Sequence, residues 1–390
     1  MSIKAIDLFS GAGGFSLSAI NAGVRVLAAI ELDKVAAETY NKNFNDIKGI
    51  GIRILNEDIN KINTKKLRNE LALSRGELDL ILGGPPCQGF SSHRIKNSGV
   101  NDPRNKLLLR YFEFVHEFQP KVFLVENVSG LLWERHKSYL DKFLELAKKE
   151  GYNIHFQGTI NAKDYGVPQN RKRVFILGIR ADLNIKTVEF PPKQTHFSPS
   201  SGKYPIWRPA SSVFEKIPRE LYEKYWKDYF SRKTSLTKVE AFSLLSSLES
   251  GSPILRNDTS NIHMNPSEMM INRFIKIGLN GSREDLGVDG QLKCHSDGYK
   301  GHKDVYGRIF IHQPSNTITA GCNNPSKGRF VHPWNNHGIT LRHAARLQSF
   351  NDDFIFCGNA SEQARQIGNA VPPTLGEILI RKVCTELNLY

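Results

Sequence analysis

The first half of the chain alternates short apolar runs with stretches of helical spacing. IKAIDLF (3–9) reads as a buried strand, followed by a glycine turn and a helix to about residue 22. VRVLAAIE (24–31), LDLILGG (78–84), KVFLVEN (121–127) and RVFILGI (173–179) are further strands, because short apolar runs bounded by turn residues mark strands buried on both faces. Between them, LLLRYFEFVHEF (107–118) and YLDKFLELAKKEG (139–151) place apolar residues at helical intervals. Gly151 stands where a helix closes in the left-handed conformation. Strands alternating with helices predict an α/β fold with a doubly wound, mostly parallel sheet.

From about residue 182 the pattern breaks. FPPKQTHFSPSSGKYPIWRP is rich in proline and serine, and the stretch that follows mixes Gly, Asn, Lys, Arg and aromatics without period. Regularity returns with RHAARLQSF (342–350) and PPTLGEILIRKVCTEL (372–387), two further helices, the second opened by prolines. The expected organisation is a first domain made of 1–184 and 338–390, with a smaller irregular domain, 185–337, inserted into it. A chain of 390 residues is long enough for two domains. No internal repeat or low-complexity tract is present.

Lys and Arg number 53 against 39 Asp and Glu, a net charge of +14. Such a balance suits either an acidic partner, most often nucleic acid, or a solvated basic surface. The opening MSIKAIDLF has no signal-peptide pattern, and no apolar stretch reaches the ~20 residues that span a bilayer. Five cysteines without close pairing suit a reducing cytosol. Cys294 and His295, with His302 and His312 nearby, match no zinc spacing, and no metal is expected.

Three segments carry candidate chemistry. DLFSGAGGFS (7–16) is a strand, a glycine-rich turn and a helix start, suited to close approach by a nucleotide-like ligand. Glu31 ends the next strand, where a carboxylate can accept ribose hydroxyls. Ser16 occupies the third glycine position of the dinucleotide fingerprint, leaving NAD and S-adenosylmethionine both open. Asp58, in NEDI, reads as a helix cap. GGPPCQGFS (83–91) follows a strand and holds Cys87 in a stiff turn at the carboxyl end of the sheet, a setting for a nucleophile. Glu126 also ends a strand, and a carboxylate closing an apolar strand needs a partner or a task. In QNRKR (169–173), Gln169, Arg171 and Arg173 alternate, so a strand there would turn all three to one face.

The ordered set DLFSGAGGFS, Glu31, PPCQ, ENV (126–128), QNRKR, ARLQSF and GNAVPP (368–373) resembles the bacterial cytosine-C5 DNA methyltransferases over nearly the whole chain except about 182–310. The resemblance implies transfer of a methyl group from S-adenosylmethionine to carbon 5 of a cytosine turned out of duplex DNA, with S-adenosylhomocysteine as product and no metal. It implies attack by Cys87 on carbon 6, contact of Glu126 with N3 and the exocyclic amine, contact of Arg173 with O2, and orientation of the thiolate and backbone by Arg171. Phe9, Gly11, Gly13, Glu31, Asp58, Ile59, Gly84, Pro86, Leu107, Asn369 and Val371 are implied to surround the cofactor. The segment 91–106 would close over DNA, with His93 or Arg94 filling the space left by the base. His343 departs from the acidic residue frequent in the family, at a position expected to be structural.

The inserted domain is expected to read DNA, with Trp207, Arg208, Trp226, Arg256, Arg283, Lys327 and Arg329 as candidate contacts. The resemblance further implies a monomer in the bacterial cytoplasm, at the nucleoid and not on a membrane, protecting sites beside a separate restriction endonuclease. The alternatives are a tRNA methyltransferase and a DNA-binding homologue without catalysis. A dehydrogenase is disfavoured by Ser16 and the nucleophile.

Overall fold

A computed structural model of the chain describes residues 2–84, 106–286 and 304–390. Pro86, Cys87, His93, Arg94, Cys294, His295 and His302 lie outside the described residues. The strands are β1 (Lys4–Leu8), β2 (Arg25–Ile30), β3 (Arg53–Leu55), β4 (Leu80–Gly83), β5 (Val122–Asn127), β6 (Tyr152–Asn161) and β7 (Lys172–Arg180). They form one sheet in the order β3-β2-β1-β4-β5-β7-β6. The first five are parallel, and β7 runs antiparallel to both β5 and β6. Helices α1 (Gly14–Asn21), α2 (Lys34–Asn41), α3 (Thr64–Glu70), α4 (Lys106–Phe118) and α5 (Lys137–Lys149) complete the doubly wound half. The expected α/β class is the observed one.

The strands read from sequence are present within a residue or two at each end. The apolar-run criterion passes over two strands, the three-residue β3 at one edge of the sheet and β6 at the other. β6 is buried only at Tyr152 and Ile160, carries a bulge at Ile154/Phe156, and never presents a continuous apolar run. Central strands are covered on both faces and are therefore apolar throughout: β5 is buried at every position. One face of the sheet carries a cluster in which Tyr111, Phe112, Phe123 and Phe143 meet edge-on or tilted. Gly178 makes room for it, since a Cβ there would lie 2.1 Å from the Phe123 ring.

The chain divides into two compact units. The first comprises Met1–Tyr165, Lys172–Gln194 and Ala370–Tyr390, the second Gly166–Arg171 and Thr195–Asn369. These bounds differ from the expected 185–337 insertion at both ends. Residues up to Gln194 stay with the first unit, where Lys382 of the last helix, Pro373–Glu386, pairs with Glu189 at 2.8 Å. Helices Leu341–Leu347 and Ala360–Asn369 fold with the second unit instead, because Arg342 is bound to Asp258 (2.5 Å) and Ser260 donates to Gln363 (2.9 Å). Their helical spacing is regular, but periodicity does not say which unit a helix packs on.

The second unit is built from short helices and irregular backbone held by buried arginines. Arg308 donates to the carbonyls of Phe274, Ile277, His332 and Asn335 and to Asn336 Oδ1. Backbone outside regular structure must still satisfy its carbonyls, and guanidinium groups do so here.

Candidate active site

The sheet register aligns the strand ends into one row. Leu8 pairs with Ile30 and with Gly83, Ile30 with Leu55, and Gly83 with Val125. One residue beyond that row stand Phe9, Glu31, Gly84 and Glu126. Three expected cofactor residues and one expected catalytic residue therefore share one edge of the first unit. Glu31 and Glu126 are three strand spacings apart, about 14 Å.

At the cofactor end the chain turns sharply. Phe9 (φ 60°), Gly11 (φ 54°) and Gly13 (φ 94°) all have left-handed backbone. The two glycines do different things. A Cβ on Gly11 would meet nothing within 4 Å, whereas one on Gly13 would collide with Phe44 (2.4 Å) and Tyr40 (2.9 Å). Gly11 leaves open space for a ligand, and Gly13 is required by packing. The Glu31 carboxylate closes the loop, accepting the N–H of Gly11 (2.8 Å) and of Asp33 (2.7 Å). Burial raises its pKa, and those two donors oppose the rise. Leu32, 69% exposed, stands beside it as an apolar surface that sequence reading passed over. Asp58 caps the turn Ile59–Lys61, accepting from Asn60 N–H and Nδ2–H at 2.9 Å. Ile59 is buried, and its carbonyl accepts from Arg110 of α4, the helix that also carries Leu107. An open glycine, a carboxylate and an apolar face at consecutive strand ends fit an adenosyl group.

Beneath this loop lies a buried carboxylate missed in the sequence. Asp7 Oδ2 accepts from Ser16 Oγ (2.6 Å), which accepts in turn from the Tyr40 hydroxyl (2.7 Å). Asp7 Oδ1 has no hydrogen-bond partner among the described residues. Burial pushes the Asp7 carboxyl up to about 7, with Glu31 adding to the rise. Ser16, which breaks the dinucleotide fingerprint, is the partner that holds Asp7.

At the catalytic end, Glu126 faces Phe175 across the β5–β7 ladder, so Arg173, two residues along β7, falls on the same face. Arg173 Nε lies 3.2 Å from Glu126 Oε1, and both side chains are largely buried. Arg173 also donates through Nη1 to the Lys172 carbonyl (2.8 Å). Gly84 lies against the same carboxylate, a Cβ there coming within 3.2 Å of Glu126 Oε2.

Arg171 does not share that face. β7 begins at Lys172, so QNRKR does not form the expected three-residue strand face. Gln169 and Arg171 belong to the second unit and are fully buried there. Gln169 donates to the Leu347 carbonyl and to Gln348. Arg171 donates to the carbonyls of Ile318 (2.9 Å) and Gly368 (3.0 Å). Asn369, in the second unit, is exposed, while Val371, in the first, is buried.

The candidate DNA contacts separate by burial. Arg329 is 6% exposed and donates to the carbonyls of Asn280, Gly281 and Arg308, and Trp226 packs against an apolar cluster. Both are structural. Arg256 and Lys327 are exposed, and Arg208 pairs with Glu249 (2.7 Å).

Among the described residues, one group could bring His and carboxylate atoms together around a metal: Glu215, His332 and His343. The imidazole tautomers oppose it. His332 Nδ1 accepts the N–H groups of Trp334 and Asn335, and His343 Nδ1 accepts that of Thr340. Each Nε2 therefore carries the proton and offers no lone pair. His343 occupies the third helical position of Leu341–Leu347 and completes a capping box with Thr340, the part usually played by Glu or Gln.

The sheet order and the row of strand ends define a doubly wound α/β protein with a candidate site along one edge of the first unit. The pattern of the C-5 cytosine-specific DNA methylases matches residues 3–385. The type II methyltransferase M.DdeI of Desulfomicrobium norvegicum is 30% identical, with 97% of this chain and 88% of that protein aligned. M.AgeI of Thalassovita gelatinovora is also 30% identical, over 98% and 99%. A solved DNA modification methyltransferase encoded by an E. coli prophage superposes with a TM-score of 0.65 at 25% identity, covering 99% and 100% of the two chains. The S. pombe Dnmt2 methyltransferase shares the fold, with a TM-score of 0.57 at 16% identity over 99% of each chain. The chain belongs to the C-5 cytosine-specific DNA methylase family.

Proposed function

We propose that this enzyme methylates carbon 5 of a cytosine extruded from a specific sequence of duplex DNA, through a covalent bond between Cys87 and carbon 6. The observation that carries the reading is the strand-end row, which puts Glu126 and Arg173 on the same edge as the cofactor loop. The base must leave the stack because its faces are otherwise covered. The Cys87 thiolate then bonds to carbon 6, and the displaced π electrons make carbon 5 nucleophilic. Glu126, as the protonated carboxyl, donates its proton to N3 as charge develops there and accepts a hydrogen bond from the exocyclic amine. Arg173 orients Glu126 through Nε and offers Nη2 to O2. Bound S-adenosylmethionine would supply the electrophilic methyl for carbon 5, with S-adenosylhomocysteine as its product. Transfer of the carbon 5 proton to solvent water returns electrons to the ring and expels Cys87 as the thiolate. Phe9, Gly11, Glu31, Ile59, Gly84, Pro86 and Leu107 would line the cofactor, with Asp58 and Val371 at its margins. Gly13 acts through packing, and Arg171 positions backbone without touching the base.

The relatives' names, type II methyltransferases, support a role protecting host sites beside a separate endonuclease. The second unit would read the sequence, with exposed Arg256 and Lys327 better placed than buried Arg329. The test is transfer of labelled methyl groups to duplex DNA against tRNA. Wild type is expected to label DNA, and Cys87→Ser to label nothing while still binding cofactor. Normal labelling by Cys87→Ser removes Cys87 from the mechanism, and labelling of tRNA alone replaces the substrate.

A further inference from the structure

Between Val128 and Lys137 the chain leaves β5 through two short 3-10 turns, Ser129–Leu132 and Glu134–His136, before α5 begins. Arg135 is exposed on the second turn, and two neighbours hold its guanidinium. Trp133 lies against its face, with the guanidinium carbon 4.5 Å from the ring centroid. His136, 1% exposed, accepts the Nε–H at 3.0 Å. Burial, and then the charge of Arg135, lower the His136 pKa, so the ring is neutral and its Nε2 can remain an acceptor. The two Nη groups make no hydrogen bond among the described residues. Glu134, the one acidic side chain of the turn, is paired with Lys137 at 3.6 Å and so competes less for the guanidinium.

A free surface arginine gives up rotamer freedom when it binds, which weakens it as a contact. Arg135 has surrendered that freedom already, held on its face by an indole and on one edge by an imidazole. What remains open is a planar pair of outer nitrogens, the geometry that matches two oxygens of a phosphate. Those Nη groups make no hydrogen bond among the described residues, and the first of the two turns begins three residues after Glu126. We propose that Arg135, clamped by Trp133 and His136, grips a backbone phosphate of duplex DNA close to the extruded cytosine. The proposal rests on the reading of the protein as a DNA methyltransferase and adds a substrate contact to it. The aromatic partner also explains an otherwise costly feature, a tryptophan left 37% exposed on a turn of the catalytic unit.

The test compares wild type with Arg135→Gln, Arg135→Lys and Trp133→Ala. It follows binding to unmethylated plasmid DNA across a salt series and steady-state methyl transfer to the same DNA. One phosphate contact contributes about 0.9 to the slope of log affinity against log salt. Arg135→Gln is expected to flatten the slope by that amount and to raise KM for DNA about tenfold, a loss of one charge-assisted contact, with kcat and the unfolding midpoint unchanged. Arg135→Lys keeps the charge and should restore the slope while recovering only part of KM. Trp133→Ala should keep the slope and raise KM, because the charge stays and the preorganisation goes. A wild-type slope and KM in Arg135→Gln overturn the clamp. Wild-type protein that binds plasmid but transfers no methyl overturns the enzyme reading instead, and the salt slope still decides the clamp.

Discussion

Arg173 and Arg171 are two residues apart, yet they belong to different kinds of structure. Arg173 sits in a regular strand of the first unit and meets a carboxylate, with one nitrogen unbound among the described residues. Arg171 belongs to the second unit and is committed to two backbone carbonyls. The contrast extends to the units themselves. In the first, the sheet ladder satisfies the backbone, so charged side chains at strand ends are left for chemistry. In the second, irregular backbone consumes its arginines: Arg308, Arg329 and Arg342 each hold several carbonyls. A buried arginine is thus evidence of function only after its donors have been counted.

The sharpest separation is between activity and stability. Glu126→Gln keeps the shape of the side chain and removes its charge. It is expected to lower kcat by about 10²–10⁴-fold, the range for a lost group acting on a proton in the transition state, while the protein still folds. Single-turnover methyl transfer, read beside a thermal unfolding scan, checks both halves. Unchanged kcat would remove Glu126 from the chemistry.

Arg308→Met should do the reverse. The substitution fills space but leaves the carbonyls of Phe274, Ile277, His332 and Asn335 without donors. Each orphaned buried group costs about 1–3 kcal/mol, so denaturant unfolding should show a loss of at least about 3 kcal/mol, as the groups relax together. A variant as stable as wild type would mean the carbonyls find other partners.

These two outcomes also measure what the sequence could convey. The doubly wound sheet was legible because buried parallel strands are apolar runs, and the strand-end row was legible where Glu31, Gly84 and Glu126 end such runs. β3 and β6 were not, being edge strands, one three residues long and the other mostly exposed or half-buried. The unit boundary was not, because helix periodicity at 341–347 carries no record of the Asp258 partner that draws it into the second unit. Arg329 looked like a phosphate contact, since nothing in a stretch without period distinguishes an arginine facing solvent from one facing carbonyls. Asp7 was hidden for a different reason: its partner Ser16 was read as a broken glycine motif rather than as a hydroxyl aimed at a carboxylate.

Asp7 offers a pH test within the first unit. Its folded pKa is raised to about 7, so the native state prefers the neutral carboxyl. That preference stabilises the fold fully below the unfolded pKa, near 3.9, and is lost as pH rises through about 7. Asp7→Asn cannot ionise. Between pH 5 and 8, wild type should lose about 2–3 kcal/mol of stability relative to this variant, measured by denaturant unfolding at each pH. Parallel pH profiles would show that Asp7 remains charged beneath the cofactor loop.

The smallest effect is expected at His343, where the second unit uses an imidazole as a helix cap. Nδ1 accepts from Thr340, and the ring stacks on Phe214 with centroids 4.4 Å apart. Burial pushes its pKa down to about 3. The neutral ring therefore contributes stability that is present above the unfolded pKa, near 6.5, and lost as pH falls toward 3. His343→Gln would keep a capping acceptor without setting a charge in this buried position. A cost of about 1 kcal/mol is expected at neutral pH from the lost stacking on Phe214, read by denaturant unfolding, and kcat should not change. Lowered kcat in His343→Gln at unchanged stability would make this residue part of the catalytic apparatus, and the division between a unit that spends its side chains on chemistry and one that spends them on backbone would no longer hold.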